Sequence, residues 1–246
     1  MNDTSKLQFV LVHGAWHGAW CWEKVVPVLE SYGHEAHTLD LPGLGEDPTP
    51  VHEVSLGGYV DKVIEVINKV GEPVVLVGHS MGGMVVTQVA ERAADRISTL
   101  VYLTAFSPRN GENLLQYAQA DEGSLTARYL QVHEDEGIIS VPEDKLRECF
   151  YGLCSDEDVA NAIARLKPQA IAPNATPLEL SEENYGRVRR TYIECSEDAA
   201  ITPSMQQRQK SNGRVDGSIT LAADHSPFYC CPEELGEALV ALANGN

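Results

Sequence analysis

Short apolar runs alternate with amphipathic stretches along most of the chain. Apolar, β-branched runs bounded by glycine, proline or polar residues predict buried strands, at residues 8–12, 36–41, 74–77, 100–103, 191–195 and 219–222. Between most of these runs, apolar positions recur with helical spacing, which predicts helices at 22–31, 58–70, 83–94, 203–210 and 232–243. Alternating strands and helices predict an α/β fold with a mostly parallel, doubly wound sheet.

The alternation is interrupted once, between residues 108 and 187. This stretch has no strong strand pattern and looks like short helices and loops with scattered aromatic residues. A structureless loop of such length is implausible in a compact domain. We therefore expect a core of residues 1–107 and 188–246, with residues 108–187 inserted as a mainly helical cap. Such a cap belongs over the carboxyl ends of the strands, where open α/β sheets place their sites.

Composition narrows the choice of partners. A chain of 246 residues can bury one large core, and its net charge of −18 disfavours nucleic acid and anionic membranes as partners. No basic segment followed by an apolar one opens the sequence, and no apolar run approaches membrane length. We expect a cytoplasmic protein. The six cysteines form no Cys-x-x-Cys pair and no zinc-site spacing, so we expect reduced, mostly buried thiols.

Residues 78–83 read Gly-His-Ser-Met-Gly-Gly, between the apolar run 74–77 and the predicted helix 83–94. A Gly-x-Ser-x-Gly sequence at a strand-to-helix junction is typical of a nucleophile elbow. Gly78 and Gly82 leave room for a sharp turn that lifts the Ser80 hydroxyl clear of the sheet. The positive end of the following helix favours an anion near that oxygen. Ser80 is therefore the candidate nucleophile.

A serine nucleophile needs a base, which in this arrangement follows it in the sequence. Of the eight histidines, His133 and His225 lie beyond Ser80. His133 sits among acidic residues in the expected cap and looks like a solvated side chain. His225 directly follows the last predicted strand, where a loop can overhang the elbow. We expect His225 to be the base.

The base in turn needs a carboxylate to orient it, and this acid should leave the end of the penultimate strand. Glu194 lies within that strand, and Glu197 and Asp198 lie just beyond it. The loop after the preceding strand, residues 104–108, contains no carboxylate. Asp224 adjoins the base and is expected to point away from it. The residues alone leave Glu194, Glu197 and Asp198 open.

Acyl transfer also needs hydrogen-bond donors for a developing oxyanion. One should be the backbone N–H of Met81, the residue after the nucleophile. The other should come from the loop after the first strand, where Gly14 permits a tight turn and Ala15 offers its N–H. His13 and His17 in this loop are expected to serve packing, because their spacing on a turn does not suit a metal pair.

Several segments resemble a known family: LVHG (11–14), HGAW (17–20), AHTLDL (36–41), GHSMGG (78–83), LCSDED (153–158), YIECSED (192–198) and ADH (223–225). With these motifs the chain resembles the α/β-hydrolase superfamily. Within it, the likeness is to the branch of plant methyl esterases and hydroxynitrile lyases with their bacterial esterase relatives. The resemblance implies a catalytic acid at Asp198, a base at His225 and oxyanion donors at Ala15 and Met81. It also implies a reaction without metal or organic cofactor.

The same resemblance bears on the reaction. Lyases of this branch carry a threonine where this chain has Gly14, and a lysine after the catalytic histidine, where it has Ser226. Expelling cyanide needs such a cation, whereas ester hydrolysis needs space for water. The resemblance therefore implies a serine carboxylesterase that acts on small, fairly apolar methyl or aryl esters. The alternatives are a hydroxynitrile lyase and a hydrolase-fold small-ligand receptor or binding protein.

Specificity and assembly are the least marked features of the sequence. The resemblance implies a largely apolar substrate pocket near the elbow. The residues that we expect to line it are Gly14, Trp16, His79, Phe106, Tyr129 and Phe228. A small-molecule ester is the expected partner, and a homodimer is a further expectation.

Overall fold

The computed structural model describes residues 6–245, which contain nine strands. They are β1 (Gln8–Val12), β2 (Glu35–Thr38), β3 (Val74–His79), β4 (Ile97–Leu103), β5 (Gln131–His133), β6 (Ile138–Ser140), β7 (Gln169–Ala170), β8 (Arg190–Cys195) and β9 (Gly217–Leu221). Six of them form the main sheet in the order β2-β1-β3-β4-β8-β9, and every neighbouring pair is parallel. The predicted parallel sheet is confirmed.

Eleven α-helices lie in the same range. They are α1 (Val25–Ser31), α2 (Leu56–Val70), α3 (Gly82–Ala93), α4 (Leu114–Ala120), α5 (Leu125–Tyr129), α6 (Glu143–Phe150), α7 (Asp156–Ile163), α8 (Ile171–Ala175), α9 (Pro203–Gly213), α10 (Pro227–Cys230) and α11 (Pro232–Ala243). None of the described helices combines the length and the apolarity needed to cross a membrane.

Alternate residues of the strands point to opposite faces of the sheet, as strand geometry requires. Val10 and Leu76 lie in the core on the face covered by α2 and α3. Their neighbours Leu11 and Val75 lie in the second core, on the face covered by α1 and α11. Because both faces are buried, the strands read in the sequence as continuous apolar runs.

One predicted strand is shorter than its apolar run. β2 ends at Thr38, although the run continues to residue 41. Beyond it, the Asp40 carboxylate accepts the N–H of Ala19 at 2.6 Å, and the N–H of Leu41 donates to His13 Nε2 at 3.1 Å. The Leu41 N–H is thus bonded to a side chain rather than to a neighbouring strand, and the Asp40 side chain holds the segment against Ala19.

The segment between β4 and β8 holds helices α4 to α8, in line with the expected short helices. It also holds a small antiparallel sheet of β5, β6 and β7, which the sequence pattern does not predict. These strands have three, three and two residues, too few to show an alternating pattern. The segment contacts the loop after β1: the Trp16 indole donates to the Ile139 carbonyl at 3.0 Å, and the Lys167 N–H donates to the Trp16 carbonyl at 2.9 Å.

Candidate active site

Ser80 lies at the junction between β3 and α3 with φ of +54°, a left-handed conformation that is strained for serine. The turn is tight, and atoms of neighbouring segments lie close to its two flanking glycines. A Cβ on Gly78 would lie 2.6 Å from Val86 Cγ2, and one on Gly82 would lie 2.7 Å from the His13 carbonyl oxygen. Only glycine fits at both positions. The local geometry is that of the nucleophile elbow predicted from the sequence.

His225 lies in the loop after β9, and Asp198 lies in the loop after β8. The two buried side chains meet with His225 Nδ1 2.7 Å from Asp198 Oδ2. A carboxylate only accepts, so Nδ1 carries the proton and donates it to this bond. With the proton on Nδ1, the Nε2 lone pair is the one available to accept a proton. Ser80 and His225 line the same cavity.

Four donors hold the Asp198 carboxylate. Besides His225, the backbone N–H groups of Ala200 and Ile201 donate to Oδ1 at 2.7 and 2.9 Å. The hydroxyl of Thr104 donates to Oδ2. Thr104 follows β4 directly and has φ of +35°. Sequence reasoning missed this residue, because nothing in the pattern around it marks a threonine that reaches the next loop.

The other carboxylates considered from the sequence lie elsewhere. Glu194 pairs with Lys210, with 2.6 Å between Oε2 and Nζ. Glu197 is exposed. Asp224 accepts the N–H groups of Leu153 and Ser226 at 2.7 and 2.9 Å, while the neighbouring His225 ring turns to Asp198. Among the described carboxylates, Asp198 is therefore the one bonded to His225.

His13 and His17 hold the loop after β1 through their own neighbours. His13 Nδ1 donates to the Gly14 carbonyl at 2.8 Å, and His17 Nδ1 donates to the Ala15 carbonyl at 2.8 Å. Their Nε2 atoms accept from the Leu41 N–H and the Tyr151 hydroxyl. Burial lowers the pKa of His13 to about 4 and that of His17 to about 3, so both rings are neutral.

These bonds fix the direction of the Ala15 N–H. The Gly14 carbonyl and the Ala15 N–H belong to one trans peptide and point in opposite directions. Holding the carbonyl on His13 therefore orients the N–H on the other side. Ala15 and Met81 both line the cavity beside Ser80. Met81 directly precedes α3, where backbone N–H groups lack partners within the helix.

Gly14 touches the predicted nucleophile. A Cβ at this position would lie 2.8 Å from Ser80 Cβ and 3.0 Å from His79 Nδ1. His79 is itself buried, and its Nε2 donates to the His225 carbonyl at 2.8 Å. Burial holds the pKa of His79 well below its ordinary value. The neutral His79 ring thus braces the His225 loop from behind Ser80.

The cavity at Ser80 has a volume of about 60 Å³. Trp16 and Phe106, which the sequence analysis proposed for the pocket, are among its lining residues. Most of its wall comes from the inserted segment and is apolar, including Leu114, Leu115, Ala118, Leu130, Ile139 and Phe150. The sequence could not identify these residues, because their contact with the cavity depends on how the segment packs.

Four residues expected in the pocket lie outside the set of described residues that lines this cavity. Gly14 lies next to Ser80 and His79, and His79 donates to the His225 carbonyl. Phe228 is fully buried and packs against His79, with 5.1 Å between ring centroids. Tyr129 is half-buried, and Lys145 Nζ lies 5.1 Å from its ring centroid. Its neighbour Leu130 lines the cavity instead.

The wall also carries a few polar groups. Asn174 in α8 is buried, and its Oδ1 atom has no hydrogen-bond partner among the described residues. The Asp121 carboxylate accepts hydrogen bonds from the backbone N–H and the hydroxyl of Thr202, at 3.0 and 2.6 Å. The described residues that line the cavity include no lysine or arginine. A leaving anion would therefore find no lysine or arginine side chain among these residues.

The chain is similar to known proteins over nearly its whole length. Methylesterase 2 of Arabidopsis thaliana is 34% identical over 258 residues, which cover 99% of this chain and 98% of the relative. Salicylic acid-binding protein 2 of Nicotiana tabacum is 33% identical and covers 96% of both chains. Putative methylesterase 11, chloroplastic, of A. thaliana is 32% identical over 99% of this chain, which spans 65% of that longer protein.

Solved structures give the same picture. The crystal structure of polyneuridine aldehyde esterase superposes with a TM-score of 0.88 at 28% identity, covering 97% of this chain and 100% of the other. The model of the alpha/beta hydrolase family matches residues 9–238. The chain therefore belongs to the alpha/beta hydrolase family.

Proposed function

We propose that the protein is a serine carboxylesterase that hydrolyses small, fairly apolar methyl or aryl esters. One observation carries this proposal: the His225 ring, oriented by Asp198, lines the same cavity as Ser80 on its elbow. A hydroxyl, a neutral imidazole and a carboxylate in this order are the groups that acyl transfer needs. The relatives named esterases support the same reaction class.

In the proposed reaction, Ser80 Oγ attacks the ester carbonyl while His225 Nε2 removes the hydroxyl proton. The carbonyl oxygen becomes an oxyanion, which accepts hydrogen bonds from the N–H groups of Ala15 and Met81. His225 then protonates the leaving alcohol as the C–O bond breaks. Water attacks the acyl-enzyme with His225 again as base, and the acid leaves as Ser80 regains its proton. Asp198 keeps the imidazole in the required tautomer throughout.

The substrate class follows from the wall of the cavity. A cavity of about 60 Å³ lined largely by aliphatic and aromatic side chains favours a small apolar acyl or alkoxy group. We propose that residues 108–187 act as a cap that selects the substrate, because most of the wall comes from this segment. In this arrangement, the side-chain amide of Asn174 forms a hydrogen bond with a polar substituent of the substrate.

Three features argue against cyanohydrin cleavage. No lysine or arginine stands among the described residues that line the cavity, and Ser226 follows His225. In addition, Gly14 leaves no space for a side chain, since a Cβ there would meet Ser80. A small-ligand binding protein is the second candidate, favoured by the relative named salicylic acid-binding protein 2.

A substrate panel separates these functions. It contains nitrophenyl acetate, nitrophenyl decanoate, methyl esters of small aryl acids, and mandelonitrile with cyanide as the readout. We expect hydrolysis of the short and aryl esters, at least about tenfold slower cleavage of the decanoate and negligible cyanide release. Salicylate binding measured by calorimetry, together with no turnover of any ester, would instead establish the binding protein. Cyanide release that rivals ester cleavage would establish the lyase.

We also propose a cytoplasmic location and a homodimer, both of which are predictions from the sequence. Cell fractionation tests the first. Sedimentation analysis over a range of protein concentrations tests the second, since a dimer dissociates on dilution.

A further inference from the structure

A cluster of two thiols and one carboxylate lies outside the set of described residues that lines the cavity. The Cys154, Asp224 and Cys230 ligand atoms all lie within 4.8 Å of one another. We propose that this thiol–carboxylate cluster binds a thiophilic divalent cation of the Zn²⁺ class. The site is separate from the proposed ester chemistry and does not depend on it.

The spacing of the cluster already suits such an ion. Asp224 Oδ1 lies 3.5 Å from Cys230 Sγ and 3.9 Å from Cys154 Sγ, so one carboxylate oxygen is close to both sulfurs. Tetrahedral zinc with bonds of about 2.3 Å to sulfur and about 2.1 Å to oxygen separates these ligands by about 3.6 Å. The side chains therefore need only small rotations to meet one ion.

The donor set also balances in charge. Binding releases the proton of each thiol to solvent, and the two thiolates and the carboxylate then face a divalent ion. The resulting single negative charge equals that of the carboxylate beside two protonated thiols. Each Asp224 oxygen accepts one backbone N–H, from Leu153 or Ser226, and keeps a lone pair free for the metal.

An ion can reach the cluster from one side. Cys154 and Asp224 are buried, whereas Cys230 is partly exposed. Water approaching past Cys230 can complete a four-coordinate site. The neighbouring Cys231, whose Sγ lies 3.9 Å from that of Cys230, is not part of the cluster.

The site joins two distant parts of the chain. Cys154 lies in the turn between α6 and α7 of the inserted segment, whereas Asp224 directly precedes His225 and Cys230 ends α10. About 70 residues separate Cys154 from Asp224, which is why motif spacing does not reveal the cluster. A bound ion would fasten the inserted segment to the His225 loop and stabilise the folded state.

The test uses the intact protein in a non-thiol reductant. Zn²⁺ is titrated in competition with a chromophoric chelator, and Cd²⁺ is added separately to record thiolate-to-metal absorption in the ultraviolet. We expect one equivalent of either ion, with a rise in the unfolding temperature. Cys154→Ser and Cys230→Ser should each weaken Zn²⁺ binding by more than the 10- to 100-fold typical of outer-shell changes. Cys231→Ser is the matched control and should bind as the unmodified protein does.

The proposal is overturned if the unmodified protein does not bind one equivalent of Zn²⁺ in competition with the chelator. Full Cd²⁺ absorption in folded Cys154→Ser or Cys230→Ser would also overturn it, as would loss in Cys231→Ser alone. Asp224→Asn, which keeps both thiols, decides the matter if a serine variant does not fold. It should weaken Zn²⁺ binding, and unchanged affinity would exclude the carboxylate ligand. These readouts do not involve ester turnover.

Discussion

His13 Nδ1 donates to the carbonyl oxygen of Gly14 at 2.8 Å, and this bond orients the peptide whose N–H belongs to Ala15. His13→Gln should therefore misalign a proposed oxyanion donor without touching Ser80. We expect kcat to fall about 10- to 100-fold, less than the 10²- to 10³-fold typical of removing such a donor, with KM little changed. The rate is normalised to active sites titrated with a phosphonate inhibitor. Exposed His52→Gln is the control, and an unchanged kcat in folded His13→Gln would contradict the prediction.

Ser80→Ala should lower kcat for nitrophenyl acetate by several orders of magnitude, because the proposed nucleophile is gone and only the oxyanion donors and binding remain. The matched control is Ser31→Ala, which removes an exposed hydroxyl at the end of α1. Mass spectrometry should detect an acyl-enzyme in the unmodified protein and none in Ser80→Ala. Turnover of Ser80→Ala at the rate of Ser31→Ala would rule out Ser80.

Thr104→Val removes a donor to Asp198 while keeping the shape of the side chain. The carboxylate then loses one of its four hydrogen bonds, so we expect kcat to fall by about tenfold, equivalent to about 1.4 kcal/mol. Thr104→Ser keeps the hydroxyl and should restore most of the rate. Equal rates for the valine and serine variants would show that the hydroxyl has no part in holding Asp198.

Gly14→Ala tests the contact between the oxyanion loop and the nucleophile. The added Cβ would lie 2.8 Å from Ser80 Cβ, so either the loop or Ser80 must shift. We expect kcat/KM for nitrophenyl acetate to fall at least about 100-fold, since small misplacements of reacting groups cost this much. Gly57→Ala in α2 is the control, because the described residues place one atom within 4 Å of the added Cβ, at 3.9 Å. Near-normal turnover by Gly14→Ala would contradict the tight packing described here.

The buried histidines predict how stability depends on pH. The ordinary histidine pKa is 6.5, and burial lowers that of His17 to about 3, with the charges of His225 and His13 acting in the same direction. Burial likewise lowers the pKa of His13 to about 4, although Asp40 opposes the shift. The unfolded chain therefore binds protons first as the pH drops. The stability present above about pH 6.5 should be lost progressively toward pH 4.

Each unit of pKa difference corresponds to about 1.4 kcal/mol, so each histidine should lower the free energy of unfolding by roughly 3 kcal/mol between pH 6.5 and 4. Urea unfolding at a series of pH values measures this slope. His17→Gln should flatten it, while His52→Gln, whose side chain is 81% exposed, should leave it unchanged. A slope that is the same in all three proteins would show that these rings do not control acid stability.

The sequence predicts the main sheet because its strands are buried on both faces, so apolar runs mark them directly. Ser80 was also predictable, since the glycines around it have no substitute in so tight a turn. His225 followed from the order of the groups along the chain. Asp198 stood among three carboxylates, and the choice of it rested partly on the resemblance to a family. Whether these residues catalyse the reaction stays a prediction.

Other features depend on packing that no local pattern records. Thr104 reaches Asp198 across two strand ends, a distance of 94 residues in sequence. Leu114 and Phe150 line the cavity through the fold of the inserted segment, whereas the aromatic Phe228, which looked suitable, lies in the core. Strands β5 to β7 are too short for their pattern to be recognised. Long-range contacts, rather than residue type, decide each of these cases.

Trp16 is bonded to the inserted segment at two points, through its indole to Ile139 and through its carbonyl to the Lys167 N–H. The next residue upstream is Ala15, so the two anchors lie beside a proposed oxyanion donor. If the inserted segment selects the substrate as proposed, a grafted foreign segment would also have to reproduce these two hydrogen bonds. A chimera would need a hydrogen-bond acceptor for the Trp16 indole and a donor for the Trp16 carbonyl. Without them, the loop that carries Ala15 would be poorly positioned. Substitutions within the existing wall offer the safer route to new substrates.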